Sequence, residues 1–340
     1  MNAHFQVCIR TRFDIHRLSC RIAIAVCLAV ELTGSSSFAA EIYPSRPVRL
    51  VVPFPPGGGT DFVARTLAQT LQEYLGQSVV SDNRAGGGGN IGTELVAKAA
   101  PNGYTLLLGY VGSLTINPSL YGNLPYDTLR DFAPVSLVAA APNLLVVSPS
   151  FSASTVKDII ALAKAKPGGL TYATAGNGTV GHMVAELFKW VAGVDIVHVP
   201  YKGASPALTD LMGQRVQMFF TSPGSVMSLI DAKRLTAVAV ANAQRLPEFP
   251  DIPTFAEAGY PKAEANAWYG LLAPAGTPRS VIARLNKAVN TGIQQPEVKQ
   301  NFAKRGFVSL TNSPEQFTQV LKADLAKWRE VISASGATAN

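Results

Sequence analysis

At 340 residues, with 47% apolar and 15% charged positions, the chain is long enough for two domains and too apolar for disorder. Its formal net charge of +7 is a mild basic excess without any dense Lys/Arg run and interleaved aromatics, so nothing points to nucleic acid. The only cysteines are Cys8, Cys20 and Cys27, all near the start, so the rest of the chain has no disulfide, thiolate nucleophile or Cys-ligated metal.

The start of the chain reads as a secretory signal. Arg10, Arg12, Arg17 and Arg21 form a basic n-region, Ile22 to Leu32 an apolar h-region, and Ser37-Phe38-Ala39 a small-residue cleavage site. Glu31 interrupts the apolar run, which is too short to span a membrane comfortably. The pattern predicts a cleaved signal peptide over 1–39 and an exported mature protein.

Beyond it, short apolar runs alternate with helix-period segments, the signature of βαβ units. "VRLVVPF" (Val48 to Phe54) reads as a buried strand and Asp61 to Gly76 as a helix with Phe62, Leu67, Leu71 and Leu75 near one face. "SVVSDNR" is strand-like, "GTELVAKAAPNG" a short helix and "YTLLLGY" a third strand. The apolar stretch Ser136 to Ser148 is broken by Pro142. A second βα series follows, with helices over 155–165, 180–191 and 204–211 between the strands "LTYATA", "DIVHVPY" and "RVQMFF". "RLTAVAVAN" is another buried strand, and the chain ends with helices over 279–291 and 314–335. The expected architecture is α/β with two lobes: 40–140 in lobe 1, 141–240 in lobe 2, and a return to lobe 1 over 241–340. Two hinge strands then leave an interlobe cleft.

Three glycine-bearing loops lead from a strand into a helix. "PFPPGGGTD" (Pro53 to Asp61) allows close backbone approach and offers helix N–H groups to an anion. Thr60 or Asp61 is its expected cap, although the charge of Asp61 opposes a close carboxylate. "TYATAGNGTVGH" (Thr171 to His182) is the expected opposing jaw in the second lobe. "GGGGNIG" contains a formal G-x-G-x-x-G (Gly87, Gly89, Gly92), which raises a nucleotide-dependent oxidoreductase as the alternative. No acidic residue stands about twenty positions on to hold a ribose, and neither loop carries a P-loop lysine, so a flexible cleft wall is the better reading.

Catalytic machinery is not visible. Only His182 and His198 follow the signal, without metal-ligand spacing, and no G-x-S-x-G elbow occurs. No metal and no cofactor are expected. Lys202 at a loop edge adds positive potential near the cleft or is simply solvated, and Trp268 and Tyr269 floor the pocket or belong to the core.

"YPSRPVRLVVPFPPGGGTDFVAR", "NRAGGGGNIGTELVAKAAPNGYTLLLG", "INPSLYGNLPYDTLRDFAPVSLV", "ATAGNGTVGHMVAELFK", "VPYKGASPALTDLMGQRV" and "WYGLLAPAGTP" together resemble the substrate-binding proteins of tripartite tricarboxylate transporters, the Bug family. The resemblance runs in order through the whole chain after the signal. It implies a periplasmic Venus flytrap, type II-like, that is no enzyme. Such a protein captures a small organic carboxylate for a membrane permease and works as a monomer; a sensor partner is the variant role. Carried over by position, it implies one jaw of Phe54, Gly58, Gly59, Thr60 and Asp61 and another of Thr174, Gly176, Asn177, Thr179 and His182. Two departures stand out. Leu114 occupies the place of a common His, and Met218-Phe219-Phe220 replaces a common Met-Phe-Asp. These favour a less polar or aromatic carboxylate, with Tyr110 and Phe220 as pocket walls.

Overall fold

A computed structural model of the protein describes residues 43–247 and 249–338, and the expected signal peptide lies outside them. The chain from Tyr43 onward forms one compact unit built on two sheets.

In the first sheet, β1 (Val48–Val52) lies parallel between β2 (Val79–Asn83) and β3 (Thr105–Tyr110). A central parallel strand is covered on both faces, which is why its sequence is a continuous apolar run. Helix α1 (Gly59–Leu75) links β1 to β2, and Gly76 ends it in the left-handed conformation at φ 71°. Helix α2 (Asn90–Ala97) links β2 to β3. Gly92 sits within it because a β-carbon there would lie 2.9 Å from the Cα of Pro53.

The sequence reading assigns no element to the stretch just after β3. Residues Gly112–Ile116 form a π-helical turn, a form that leaves no simple periodic trace. The apolar run broken by Pro142 then divides between two sheets, as β4 (Phe132–Pro142) of the first and β5 (Leu144–Val147) of the second.

The second sheet is completed by β6 (Thr171–Thr174), β7 (Val197–Pro200), β8 (Met218–Thr221) and β9 (Thr236–Val240) in the order β7-β6-β8-β5-β9. Helices α3 (Val156–Ala165), α4 (Val180–Ala192) and α5 (Ala204–Met212) connect its strands. The chain then returns to the first sheet as β10 (Asn266–Pro274), antiparallel between β3 and β4, so that Tyr269 pairs with Tyr110.

Two helices, α6 (Arg279–Ile293) and α7 (Pro296–Ala303), precede the short edge strand β11 (Val308–Ser309), and α8 (Pro314–Ser335) closes the fold. The sequence reading had passed over α7 and β11, both too short to establish a period. The first sheet reads β11-β4-β10-β3-β1-β2.

The two crossings between sheets run side by side. Ala241 N–H donates to the Asn143 carbonyl at 2.8 Å, and Asn266 pairs with Pro142. The loops at the C-terminal ends of the parallel strands of both sheets therefore meet beside these crossings.

Candidate ligand-binding site

A cavity of about 40 Å³ lies where the strand-to-helix loops of the two sheets face one another. Three helix N-termini border it: Gly59 and Thr60 of α1, Thr179 and Gly181 of α4, and Ala204 of α5. Each helix start brings backbone N–H groups and the positive end of its dipole to the border of the space, although Gly59 N–H is already bonded to Ser225 Oγ and Val180 N–H to the Tyr110 hydroxyl. Tyr110, Tyr269, Asn143 and Ser222 supply side-chain polar atoms, and no charged side chain lines the cavity.

The first jaw is held rigidly. Helix α1 starts at Gly59, and its N-cap, Gly58, makes no side-chain capping bond. Thr60 is thus left to line the cavity rather than to cap. Asp61 faces inward to its own loop. Its Oδ2 accepts from Gly57 N–H at 3.1 Å and from Arg65 Nε at 2.9 Å, and its Oδ1 accepts from Asn83 Nδ2 at 3.0 Å. Asn83 also donates to the Phe54 carbonyl at 2.8 Å, so Asp61 ties the glycine loop to β2. Burial pushes this carboxyl up, but the bonds from Arg65, Gly57 and Asn83 outweigh it and hold its pKa below the usual value.

In the second jaw Thr179 is the N-cap of α4. Its Oγ1 accepts from His182 N–H at 3.4 Å and donates to the Gly176 carbonyl at 2.8 Å. Thr174 lies beneath, 2.7 Å from His198 Nε2. The His182 ring stacks on His198 at 4.4 Å, and its Nδ1 accepts from Gly178 N–H at 3.2 Å. Burial lowers the His182 pKa to about 4, with Lys189 adding to the effect. Burial, the neighbouring His182 and Lys189 bring His198 down to about 3, against a smaller opposing effect of Glu186. Both rings are therefore neutral near pH 7.

The expected site residues thus fall into three groups. Phe54, Gly58, Gly59, Thr60, Tyr110, Thr179 and Phe220 line the cavity together. Gly176 and Asn177 line an adjoining one. Asp61, Thr174 and His182 are engaged in bonds that shape the jaws. Leu114 is buried and lies outside the cavity lining.

Sequence reasoning passed over Asn143, Ser222 and Ser225, and left Tyr269 undecided between pocket and core. All four line the cavity. Asn143 had a signal, since it directly follows the Pro142 break at a crossing. Tyr269 is buried against Tyr110 with ring centres 5.5 Å apart, and burial raises its pKa to about 12 despite the Thr60 and Ser222 hydroxyls beside it. Its phenol stays protonated and able to donate.

Direct bonds also cross between the jaws. Gly59 N–H donates to Ser225 Oγ at 3.1 Å, and Ser205 Oγ donates to the Pro56 carbonyl at 3.1 Å. At Gly88, whose φ is +63°, a β-carbon would stand 2.0 Å from the Asn177 carbonyl oxygen. The glycine run that formally resembles a dinucleotide fingerprint therefore permits close approach between jaws. Among the described residues no cluster of three or more His, Cys, Asp or Glu is placed to hold a metal ion, and no helix is long and apolar enough to cross a membrane.

Residues 63–337 match the tripartite tricarboxylate transporter family receptor. The chain belongs to this family. Three solved receptor-like structures are similar to it over nearly their whole length. The periplasmic binding protein BugD is 34% identical with a TM-score of 0.84, covering 87% of this chain and 99% of its own. Rpa4515 of R. palustris, solved with adipate, is 38% identical with a TM-score of 0.85, covering 87% and 99%. MatC (Rpa3494) of Rhodopseudomonas palustris, with bound malate, is 32% identical with a TM-score of 0.82, covering 85% and 100%. The receptor has the two-lobe periplasmic binding protein fold, and its function is that of a solute-binding protein of this transporter family.

Proposed function

We propose that the cavity between the jaws captures the carboxylate of a small organic acid. One observation supports this above the rest: three helix N-termini and several hydroxyls converge on a space without a charged side chain. A carboxylate is the small anion that such donors satisfy from several directions at once. The relatives crystallised with adipate and malate bind acids of this class.

In this reading Phe54, Gly58, Gly59, Thr60, Tyr110, Thr179 and Phe220 touch the ligand or wall it in, and Tyr269, Asn143 and Ser222 join them. Asp61, Thr174 and His182 hold the loops in shape. Residues 1–39 direct export, the mature monomer works in the periplasm, and closure of lobe 2 (141–240) on lobe 1 presents the acid to a membrane permease. The receptor performs no chemistry on its cargo.

A thermal-shift screen over a few dozen organic acids tests the proposal, because a ligand that binds only the folded form raises the melting temperature. At least one carboxylate should give a saturable shift. The absence of a shift with every acid would overturn it.

A further inference from the structure

A second cavity, of about 180 Å³, adjoins the first. Phe54 and Ala175 line both. Its remaining walls include the Gly86–Gly89 run on one side and Asn177, Tyr201 and Lys202 on the other.

The sizes of the two spaces divide a ligand between them. The first, at about 40 Å³, has room for about three water-sized groups, which one carboxylate fills. The body of a longer acid must leave that space, and the larger cavity adjoins it at Phe54 and Ala175.

The chemistry there is different. Lys202 brings a cation to the lining, and no acidic residue lines the space. None of the ion pairs formed among the described residues involves Lys202. The carboxylate beneath the adjacent tyrosine is already engaged: Tyr201 donates to Asp210 Oδ2 at 2.7 Å, and Arg215 pairs with Asp210 Oδ1 at 2.7 Å. The Lys202 ammonium is therefore available to an anionic group that enters from the first cavity.

We propose that the second cavity is a subsite for the distal end of the ligand, and that Lys202 selects a second carboxylate there over an uncharged terminus. This rests on the reading of the first cavity as a carboxylate site. The wall contains no other cation, so the preference depends on this one side chain.

Calorimetric titration separates the two readings. The probes are the straight-chain diacids from succinate to suberate and the monoacids from butanoate to octanoate, tested on wild type, Lys202→Met and Lys202→Arg. Wild type should prefer the diacid to the monoacid at one or more lengths. Lys202→Met should weaken that diacid about three- to fivefold and change its monoacid by less than about 1.5-fold, since the exposed Lys202 makes a solvated ion pair. Lys202→Arg should retain the preference. Equal losses for diacid and monoacid, or no loss for either, would overturn the subsite while leaving the first cavity's role intact. If wild type binds none of these acids, the subsite falls before any substitution is made, while the first cavity's role is decided separately by the wider thermal-shift screen.

Discussion

The Tyr110 hydroxyl accepts a hydrogen bond from the backbone N–H of Val180 at 2.9 Å. Tyr110 ends β3 of the first sheet, and Val180 opens the helix that follows β6 of the second. The bond joins the two jaws at the cavity wall. Burial pushes the Tyr110 pKa well above its ordinary value, with Tyr269 adding to it, so the phenol keeps its own proton. That proton remains available to a ligand oxygen.

Tyr110→Phe removes both roles. We predict a loss of carboxylate affinity of about three- to tenfold, the range for the net contribution of one neutral hydrogen bond. The fold should remain, since the ring still packs on Phe54 at 5.2 Å between centres. Calorimetry with circular dichroism as the folding control checks this, and an unchanged affinity would remove Tyr110 from the ligand contacts.

The two threonines should differ in how they fail. Thr60→Ala should weaken binding with the smaller change in melting temperature, because Thr60 makes no capping bond and gives up only its contact with the Tyr269 hydroxyl. Thr179→Ala should weaken binding and also destabilise the protein by about 1 kcal/mol, the usual loss for an N-cap hydroxyl. Unchanged affinity in both variants would defeat the two-jaw arrangement.

Gly88→Ala should oppose closure. The new β-carbon meets a backbone oxygen that has no freedom to rotate aside, and the φ of +63° is strained for alanine. The variant should stay folded and show a larger radius of gyration by solution scattering in saturating ligand, with weaker binding. A compact, fully active variant would show that the loop yields instead.

Acid should destabilise the receptor through its stacked histidines. In the unfolded chain each takes up a proton near pH 6.5; in the native protein they resist until about pH 4 for His182 and about pH 3 for His198. The unfolded state therefore binds more protons across that window, so stability is fullest above pH 6.5 and falls as the pH drops toward 4. Melting temperatures between pH 7.5 and 5 test this, a range above the titration of most carboxylates. His182→Gln should flatten the decline, and an equally steep curve in that variant would place its cause elsewhere.

Much of the fold could be read from the chain because its strands are apolar and its turns carry glycine and proline. Pro142 marked the first crossing, and Gly76 marked a helix end. The cavity was legible only in part. Thr60 and Thr179 lie in loops that announce themselves as helix starts. Ser222 and Ser225 lie in a short 3₁₀ turn after β8, where nothing local distinguishes a pocket serine from a solvated one. Tyr269 reaches the site because β10 inserts antiparallel beside β3, a pairing between residues 159 positions apart that no local pattern encodes. Asp61 showed the opposite problem. Its place in the loop suggested a ligand contact, and its partners, Arg65 and Asn83, became apparent only in three dimensions.

The uncharged lining of the first cavity bears on how the receptor lets go. Had a buried arginine or lysine gripped the carboxylate there, departure of the acid would strand that cation in a dry pocket. In the proposed reading, the carboxylate that departs from this cavity leaves behind only dipoles and hydroxyls there, which water re-solvates. A carrier built this way can hold its cargo firmly and still hand it on.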